Sequence, residues 1–336
     1  MQFDLWSLLR CPQCSDRLDW RAGFSTCSAE DGCLECGRCR IIYPVVAGIP
    51  RFVPRGQSDG LGLLWQRFCH ALLDSRVGLQ ITRERFARET RWTPTDLQGR
   101  LILEVGCGAG RFTEILLDYG AQVVAVDSTL GIEVCQSNLG GHPRLYLLQA
   151  ALDRLPLRHG VFDAVVSFGM LHRLADPHAA FLKLPSFLKP GGALLVDVAP
   201  PRWFRTYGPT AWLRIFTRHL PVERAFKVAE VLTAVLYPIQ RAMGKIPVFG
   251  TFLQRVLPIA PQETLQNCPP DYPFYRARLG MCDRLTSEHH PISRDLLHEW
   301  LLQVPLENTS IEQLHEGWLV VRGRCRRGDV FRSHVA

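Results

Sequence analysis

Between residues 100 and 200 short apolar runs alternate with segments of helical spacing. Leu101-Ile-Leu-Glu-Val105, Ala121-Gln-Val-Val-Ala-Val126, Leu145-Tyr-Leu-Leu148, Phe162-Asp-Ala-Val-Val-Ser-Phe168 and Ala193-Leu-Leu-Val-Asp-Val198 each have strand length and strand composition. After the first run, Phe112, Ile115, Leu116 and Tyr119 recur at helical spacing. Asp176-Pro177 has the form of an N-cap and first-turn proline, which places a helix ahead of the fifth strand. Strands alternating with helices predict an α/β fold with a parallel, doubly wound sheet. The pattern resumes late, with a helix over 293–301 and two strands, 310–314 and 318–321, in hairpin order. Residues 200–290 intervene. Leu232, Val235, Leu236 and Ile239 have helical spacing, and aromatics and prolines are frequent: Trp203, Phe204, Tyr207, Trp212, Phe216, Tyr237, Phe249, Phe252, Tyr272, Phe274 and Tyr275. This predicts a mainly helical insertion, its helices broken by prolines, that either closes as a lid over a ligand crevice at the carboxyl ends of the strands or packs on the domain as a plain helical cap. Arg214, Arg218, Arg224 and Arg241 give it a basic amphipathic character that a membrane surface would also accept.

The turn after the first strand carries chemistry. Gly106, Gly108 and Gly110 alternate in Glu104-Val-Gly-Cys-Gly-Ala-Gly110, where the backbone turns sharply and a ligand can lie against bare main chain. A dinucleotide fingerprint needs a third glycine where this chain has Arg111. Asp127 ends the second strand, seventeen residues after Gly110, where a carboxylate suits the two ribose hydroxyls of an adenosyl group. This loop and acid, with Leu155-Pro156, Phe162-Asp163 and Leu188-Lys-Pro-Gly-Gly192 in that order, resemble the class I (type 11-like) S-adenosylmethionine-dependent methyltransferases over about residues 85 to 200. The resemblance implies a Rossmann-like, seven-stranded methyltransferase sheet and S-adenosylmethionine as cofactor. It also implies a cofactor site of Glu104, Gly106, Cys107, Gly108, Gly110, Asp127, Ser128, Ala151, Leu152 and Ser167. Glu104 would either meet the cofactor's amino group or fix the loop amides. The chain departs from the family at Ala151, where an aspartate commonly binds the adenine amine; Asp153 is the nearest substitute.

Methyl transfer from a sulfonium is an in-line displacement that depends chiefly on positioning. A hydroxyl or nitrogen acceptor also gains from a base. The family often has a histidine pair after the fourth strand, and this chain has His172-Arg173, which makes His172 the first candidate base. Asp283 and His289 lie in Cys282-Asp-Arg-Leu-Thr-Ser-Glu-His-His290, which loosely resembles a substrate-side loop in zinc-ribbon-fused members, and are the further candidates.

Of twelve cysteines, six fall between Cys11 and Cys39. Cys11-Pro-Gln-Cys14 and Cys36-Gly-Arg-Cys39 are two Cys-x-x-Cys knuckles, and together they make a closed tetrahedral site of the structural zinc kind. Cys33-Leu-Glu-Cys36 is a competing register. Gly37 favours Cys36 with Cys39 and leaves Cys27 and Cys33 as spare thiols. With the following Tyr43-Pro-Val-Val-Ala-Gly-Ile-Pro50, the segment resembles the small zinc-ribbon module that serves as activator subunit of RNA and protein methyltransferases. So small a module has too little apolar area to fold alone, and metal supplies the difference. The expected organisation is a zinc-ribbon-like module over 1–54, a linker and lead-in helix over 55–84, and the cofactor-binding core over 85–199. The insertion follows over 200–290, and the last helix and two strands of the core over 291–330.

Charge narrows the partners. Of 39 basic residues only four are lysine, and the arginines are scattered, so the net charge of +7 does not mark a nucleic-acid patch. Apolar residues at 47% and charged residues at 21% exclude a disordered chain. No apolar stretch has the length of a membrane span, and the first residues do not read as a secretory signal, so a cytoplasmic location is expected. Three readings follow. The first is a methyltransferase for a small-molecule acceptor, by O- or N-methylation of a biosynthetic intermediate. The second is an RNA base methyltransferase, although the loop after the fourth strand lacks an Asn-Pro-Pro-Tyr type motif. The third is a non-catalytic subunit that keeps the fold.

Overall fold

The computed structural model describes residues 5–21, 32–53, 60–201, 209–243, 268–287, 289–314 and 317–327. Cys27, Trp203, Phe204, Tyr207, Phe249 and Phe252 lie outside them.

Strands β1 (Leu18–Arg21), β2 (Cys33–Cys36), β3 (Ile42–Val46) and β4 (Ile49–Pro50) form a four-stranded sheet in that order, antiparallel throughout. Helices α1 (Gly60–Arg67), α2 (Asp74–Val77), α3 (Ile81–Thr90) and α4 (Pro94–Leu97) lead into the core. Then come β5 (Leu101–Val105), α5 (Arg111–Asp118), β6 (Gln122–Asp127), α6 (Gly131–Leu139), β7 (Leu145–Gln149), β8 (Phe162–Ser167), α7 (Pro177–Lys183) and β9 (Leu188–Val198). Helices α8 (Pro209–Thr217), α9 (Val222–Met243), α10 (Tyr272–Thr286) and α11 (Arg294–Leu301) precede β10 (Leu306–Gln313) and β11 (Leu319–Cys325).

The large sheet has seven strands in the order β10-β11-β9-β8-β5-β6-β7. Pairings from β7 through β9 are parallel, and those of β11 with β9 and β10 are antiparallel. This is the doubly wound sheet with a terminal hairpin that the pattern predicts. Both faces are covered, so strand residues on either side are fully buried: Leu103 packs into one apolar cluster and Ile102 into the other. This is why the runs read as continuously apolar rather than alternating. Chain direction across the sheet reverses between β5 and β8, and a switch point of this kind opens a crevice beyond the strand ends.

Three elements differ from the expectation. β9 begins at Leu188 and so includes the Lys-Pro-Gly-Gly segment. Gly192 fits because a Cβ there would sit within about 3 Å of the carbonyls of Lys189, Phe162 and Asp163. β10 begins at Leu306, ahead of the predicted 310, and its register slips between Glu307 and Ser310, which blurs the period-two pattern. Third, α9 runs unbroken through Pro238. A proline forfeits one backbone hydrogen bond, and here burial of Phe226, Ala229 and Tyr237 against α10 and α1 offsets the loss.

Helices α1, α9 and α10 share a third apolar cluster built on Leu64, Phe68, Met281 and Leu285. The lead-in helix is thus packed with the insertion. On α8, Trp212 and Phe216 are exposed. Among the described residues no helix is long and apolar enough to cross a membrane.

The small sheet docks on the edge of the large one. Arg51 bridges Gln149 in parallel fashion, and Phe52 N–H donates to Gln149 O at 2.7 Å. Arg51 also donates to Gln149 Oε1 at 3.0 Å and pairs with Glu133 at 3.3 Å. On the other side Leu9 bridges Leu157, with Arg10 N donating to Pro156 O and Arg158 N to Leu8 O. The turn after β7 is therefore held by the ribbon-like segment at both of its ends.

Candidate active site

The glycine loop sits at the switch point. Gly106, Gly108 and Gly110 have φ of +84°, +53° and +92°, a region that L side chains rarely adopt, so the alternating glycines are a backbone requirement. The amides of Gly106 and Cys107 donate to Val126 O at 2.7 and 3.2 Å, which ties the loop to the end of β6. Asp127 completes the turn. Its Oδ2 accepts from Gly108 N and its Oδ1 from Thr129 N, both at 2.8 Å. Trp65 of α1 and Met170 rest against the faces of Gly108 and Gly106, where a Cβ would collide with them.

A cavity of about 320 Å³ opens beside this loop. Its wall includes Gly106, Cys107 and Asp127 from the cofactor side. Phe112, Phe168, Gly169, Met170 and Arg173 come from α5 and the turns after β8, Trp65 from α1, and Arg276, Leu279 and Asp283 from α10. Bare glycine backbone and a carboxylate on one wall fit the adenosyl part of S-adenosylmethionine.

The predicted residues separate into those at the cavity and those behind it. Glu104 is buried and accepts from Thr113 Oγ1 at 2.6 Å; the loop amides are held by Asp127 and Val126 instead. Burial, with Asp127 adding and the Thr113 bond opposing, pushes the Glu104 carboxyl up to about 7. A raised carboxyl binds its proton more tightly in the folded chain, so stability falls as pH climbs from the ordinary carboxylate range to about 7 and is level above it. Glu104→Gln should remove this slope. In urea titrations its stability relative to the parent should rise by ~3 kcal/mol between pH 4.5 and pH 7.5.

Ser128 is exposed and Ser167 fully buried. Ala151 is half-buried at the start of the turn after β7, and Leu152 packs inward. Asp153 faces solvent beside Arg154.

His172 does not line the cavity. It is 1% exposed, stacks on His289 with ring centroids 5.5 Å apart, and meets Trp318 edge-on at 5.4 Å. Trp318 and Arg173 take the lining positions. The candidate bases His172 and His289 thus form a pair one layer behind the wall.

Asp283 lines the cavity, but as half of a bidentate ion pair: Arg173 Nη1 and Nη2 donate to its two oxygens at 2.7 and 3.0 Å, and Ser287 Oγ donates at 2.7 Å. Burial opposes the charge, and Arg173 outweighs it, holding the carboxyl well below its usual range. An acid so stabilised as its anion is a weak base, and in this arrangement Asp283 anchors Arg173. The stabilisation is present above the ordinary carboxylate pKa and lost as pH falls toward the depressed one. Arg173→Ala should cost ~3–5 kcal/mol at pH 7, because it strands a buried carboxylate. That cost should shrink below about pH 4 as Asp283 takes up a proton.

Sequence reasoning missed Trp65, Arg85, Arg276 and Trp318. Arg85 is buried, pairs with Glu89 at 2.6 Å and with Asp197, and lies over the rings of Phe112 and Trp318. Burial and the neighbouring Asp197 push the Glu89 carboxyl up from its usual range. Asp197 also accepts from Gly169 N, which fixes the loop after β8.

At the N-terminus the Sγ atoms of Cys11, Cys14, Cys36 and Cys39 all lie within 4.8 Å of one another. Four close pairs span 3.0–3.5 Å. Sulfurs around a tetrahedral zinc at ~2.3 Å stand about 3.8 Å apart, so the cluster has the right donors and size. Cys33 lies outside the cluster, with its thiol toward Arg21 O at 3.8 Å.

Comparison with known proteins agrees with this geometry. Residues 103–196 match the model of a methyltransferase domain. With the strand order and the glycine loop, this match makes residues 103–196 a methyltransferase domain within a Rossmann-like sheet. The chain is similar to a ubiquinone biosynthesis O-methyltransferase of Xanthomonas euvesicatoria, at 35% identity over 31% of this chain and 45% of that protein. It is also similar to a tRNA U34 carboxymethyltransferase of Edwardsiella ictaluri, at 28% identity over 48% of this chain and 53% of that one. The chain thus spans about half the length of these curated relatives.

Proposed function

We propose that the chain is an S-adenosylmethionine-dependent methyltransferase that methylates a small-molecule acceptor, a biosynthetic intermediate, at oxygen or nitrogen. The observation that carries this reading is the cavity of about 320 Å³, walled on one side by the glycine loop and Asp127 and on the other by apolar and arginine side chains. Its volume is near the lower end of ligand sites, ~300–1,000 Å³. Bound S-adenosylmethionine supplies the activated methyl group. Gly106, Cys107, Gly108 and Gly110 would lie along it, and Asp127 would accept from its ribose. Phe112, Phe168 and Trp318 exclude water from the reacting centre, and the paired Arg173 and Asp283 keep the wall rigid, so that alignment supplies the rate. His172 remains a base only if Trp318 moves aside.

In this reading residues 1–54 are a scaffold whose four cysteines hold a structural zinc, and 200–290 are the acceptor-side cap. An RNA acceptor is the second reading, favoured by the tRNA-modifying relative. Incubation of the protein with tritiated S-adenosylmethionine and fractionated extract separates them. Label is expected in the small-molecule fraction; label confined to RNA supports the alternative, and none in any fraction the non-catalytic subunit.

A further inference from the structure

The charges that line the cavity do not balance. Arg85, Arg111, Arg173 and Arg276 face it, with Asp127 and Asp283. Asp283 is taken by Arg173, and Asp127 by two backbone amides. Arg85 is held by Glu89 and Asp197. Arg111 and Arg276 are left. Arg111 donates Nε to Thr82 Oγ1 at 3.0 Å and lies over the Phe112 ring, with no carboxylate paired to it among the described residues. Arg276 has no hydrogen bond or ion pair among the described residues, and its Nη1 is shielded from solvent. Burial, then repulsion from Arg85 and Arg276, lowers Arg111 to about 9, so the cations are near enough to feel one another.

Buried charge normally comes paired, and a guanidinium left without an acid in an apolar cavity wants an anion. The planar fork of arginine matches the oxygens of a carboxylate or a phosphate. Arg276 belongs to α10 and lines the cavity. We infer that the methyl acceptor is an anion, and that Arg276, with Arg111 beside it, binds its carboxylate or phosphate group. This deepens the proposed function and rests on it. Such an acceptor would be drawn in by charge and orientated by the fork, which leaves its nucleophilic atom to be aimed at the sulfonium methyl.

The same chemistry has a second source, the carboxylate of the cofactor's own methionine part. Calorimetry separates the two. With the protein saturated by S-adenosylhomocysteine, benzoate and phenyl phosphate are titrated against neutral benzyl alcohol. At least one anion should bind ~10-fold or more tightly than the alcohol, and Arg276→Gln should remove the advantage, while Arg276→Lys keeps part of it. Which anion wins tells carboxylate from phosphate. S-adenosylhomocysteine and 5′-methylthioadenosine, which lacks the amino-acid part, should each bind Arg276→Gln as they bind the parent. Two results overturn the inference: anions no tighter than benzyl alcohol, or an Arg276→Gln variant that loses affinity for S-adenosylhomocysteine alone, which gives the arginine to the cofactor. Failure of S-adenosylhomocysteine to bind the parent protein instead overturns the cofactor reading.

Discussion

Asp127→Ala should weaken S-adenosylhomocysteine binding at least ~100-fold, measured by isothermal titration. The side chain serves the site twice. It holds Gly108 N and Thr129 N at 2.8 Å each, and so shapes the loop before any ligand arrives. It also lines the cavity, where an adenosyl ribose would donate to it. Hydrogen bonds to a charged group contribute ~1.5–3 kcal/mol each, so losing two or three is worth several orders of magnitude in affinity before relaxation. Asp127→Asn keeps an acceptor oxygen but turns an N–H toward one of the amides, and should fall between alanine and the parent. Unchanged affinity in the alanine variant would mean that the ribose lies elsewhere.

On the proposal that the four cysteines hold zinc, Cys36→Ser with Cys39→Ser should release it and unfold the ribbon. Bound structural zinc contributes ~10–16 kcal/mol in isolated fingers, far more than so small a module can obtain from its own core. The effect should spread. Leu8, Arg10 and Phe52 hold the turn after β7 through backbone bonds to Arg158, Pro156 and Gln149, and Arg51 holds it through its side chain on Gln149. Hydrogen exchange in residues 149–158 should therefore accelerate with that of residues 8–10 and 49–52, while β5 and β8 stay protected. Metal content should drop from one zinc per chain to none. Slow exchange throughout the ribbon in the double variant would show that it folds without metal.

Much of this arrangement is legible in the chain itself. The five parallel strands follow from apolar runs, because a sheet covered on both faces tolerates little else. The glycine loop follows from residue spacing, because each of its three glycines occupies left-handed backbone. The two cysteine knuckles follow in the same way, and the cluster takes Cys36 with Cys39 in preference to Cys33. What the pattern hides is contact between distant segments. Arg173 and Asp283 are 110 residues apart, and no local signal marks them as a pair. Arg85 and Asp197 are 112 apart, so the network that steadies Gly169 is equally silent. Trp65 falls in a stretch that reads as a lead-in, yet the Gly108 face packs against it.

The aromatics of the insertion mislead for a related reason. Composition says that they will be buried or will bind, but not where. Tyr237, Tyr272, Phe274 and Tyr275 pack among the cap helices, and Trp212 and Phe216 face outward. The cavity receives Pro273, Arg276, Leu279 and Asp283 from α10 instead. The family resemblance likewise marks the turn that holds His172 but not its depth, which is set by packing on His289 and Trp318.

Parallel calorimetric titrations of the purified protein with S-adenosylhomocysteine and with NAD test the cofactor assignment most directly. One S-adenosylhomocysteine per chain, displaced by S-adenosylmethionine, with no heat from NAD, is the predicted outcome. Saturable binding of NAD with none of S-adenosylhomocysteine would contradict it.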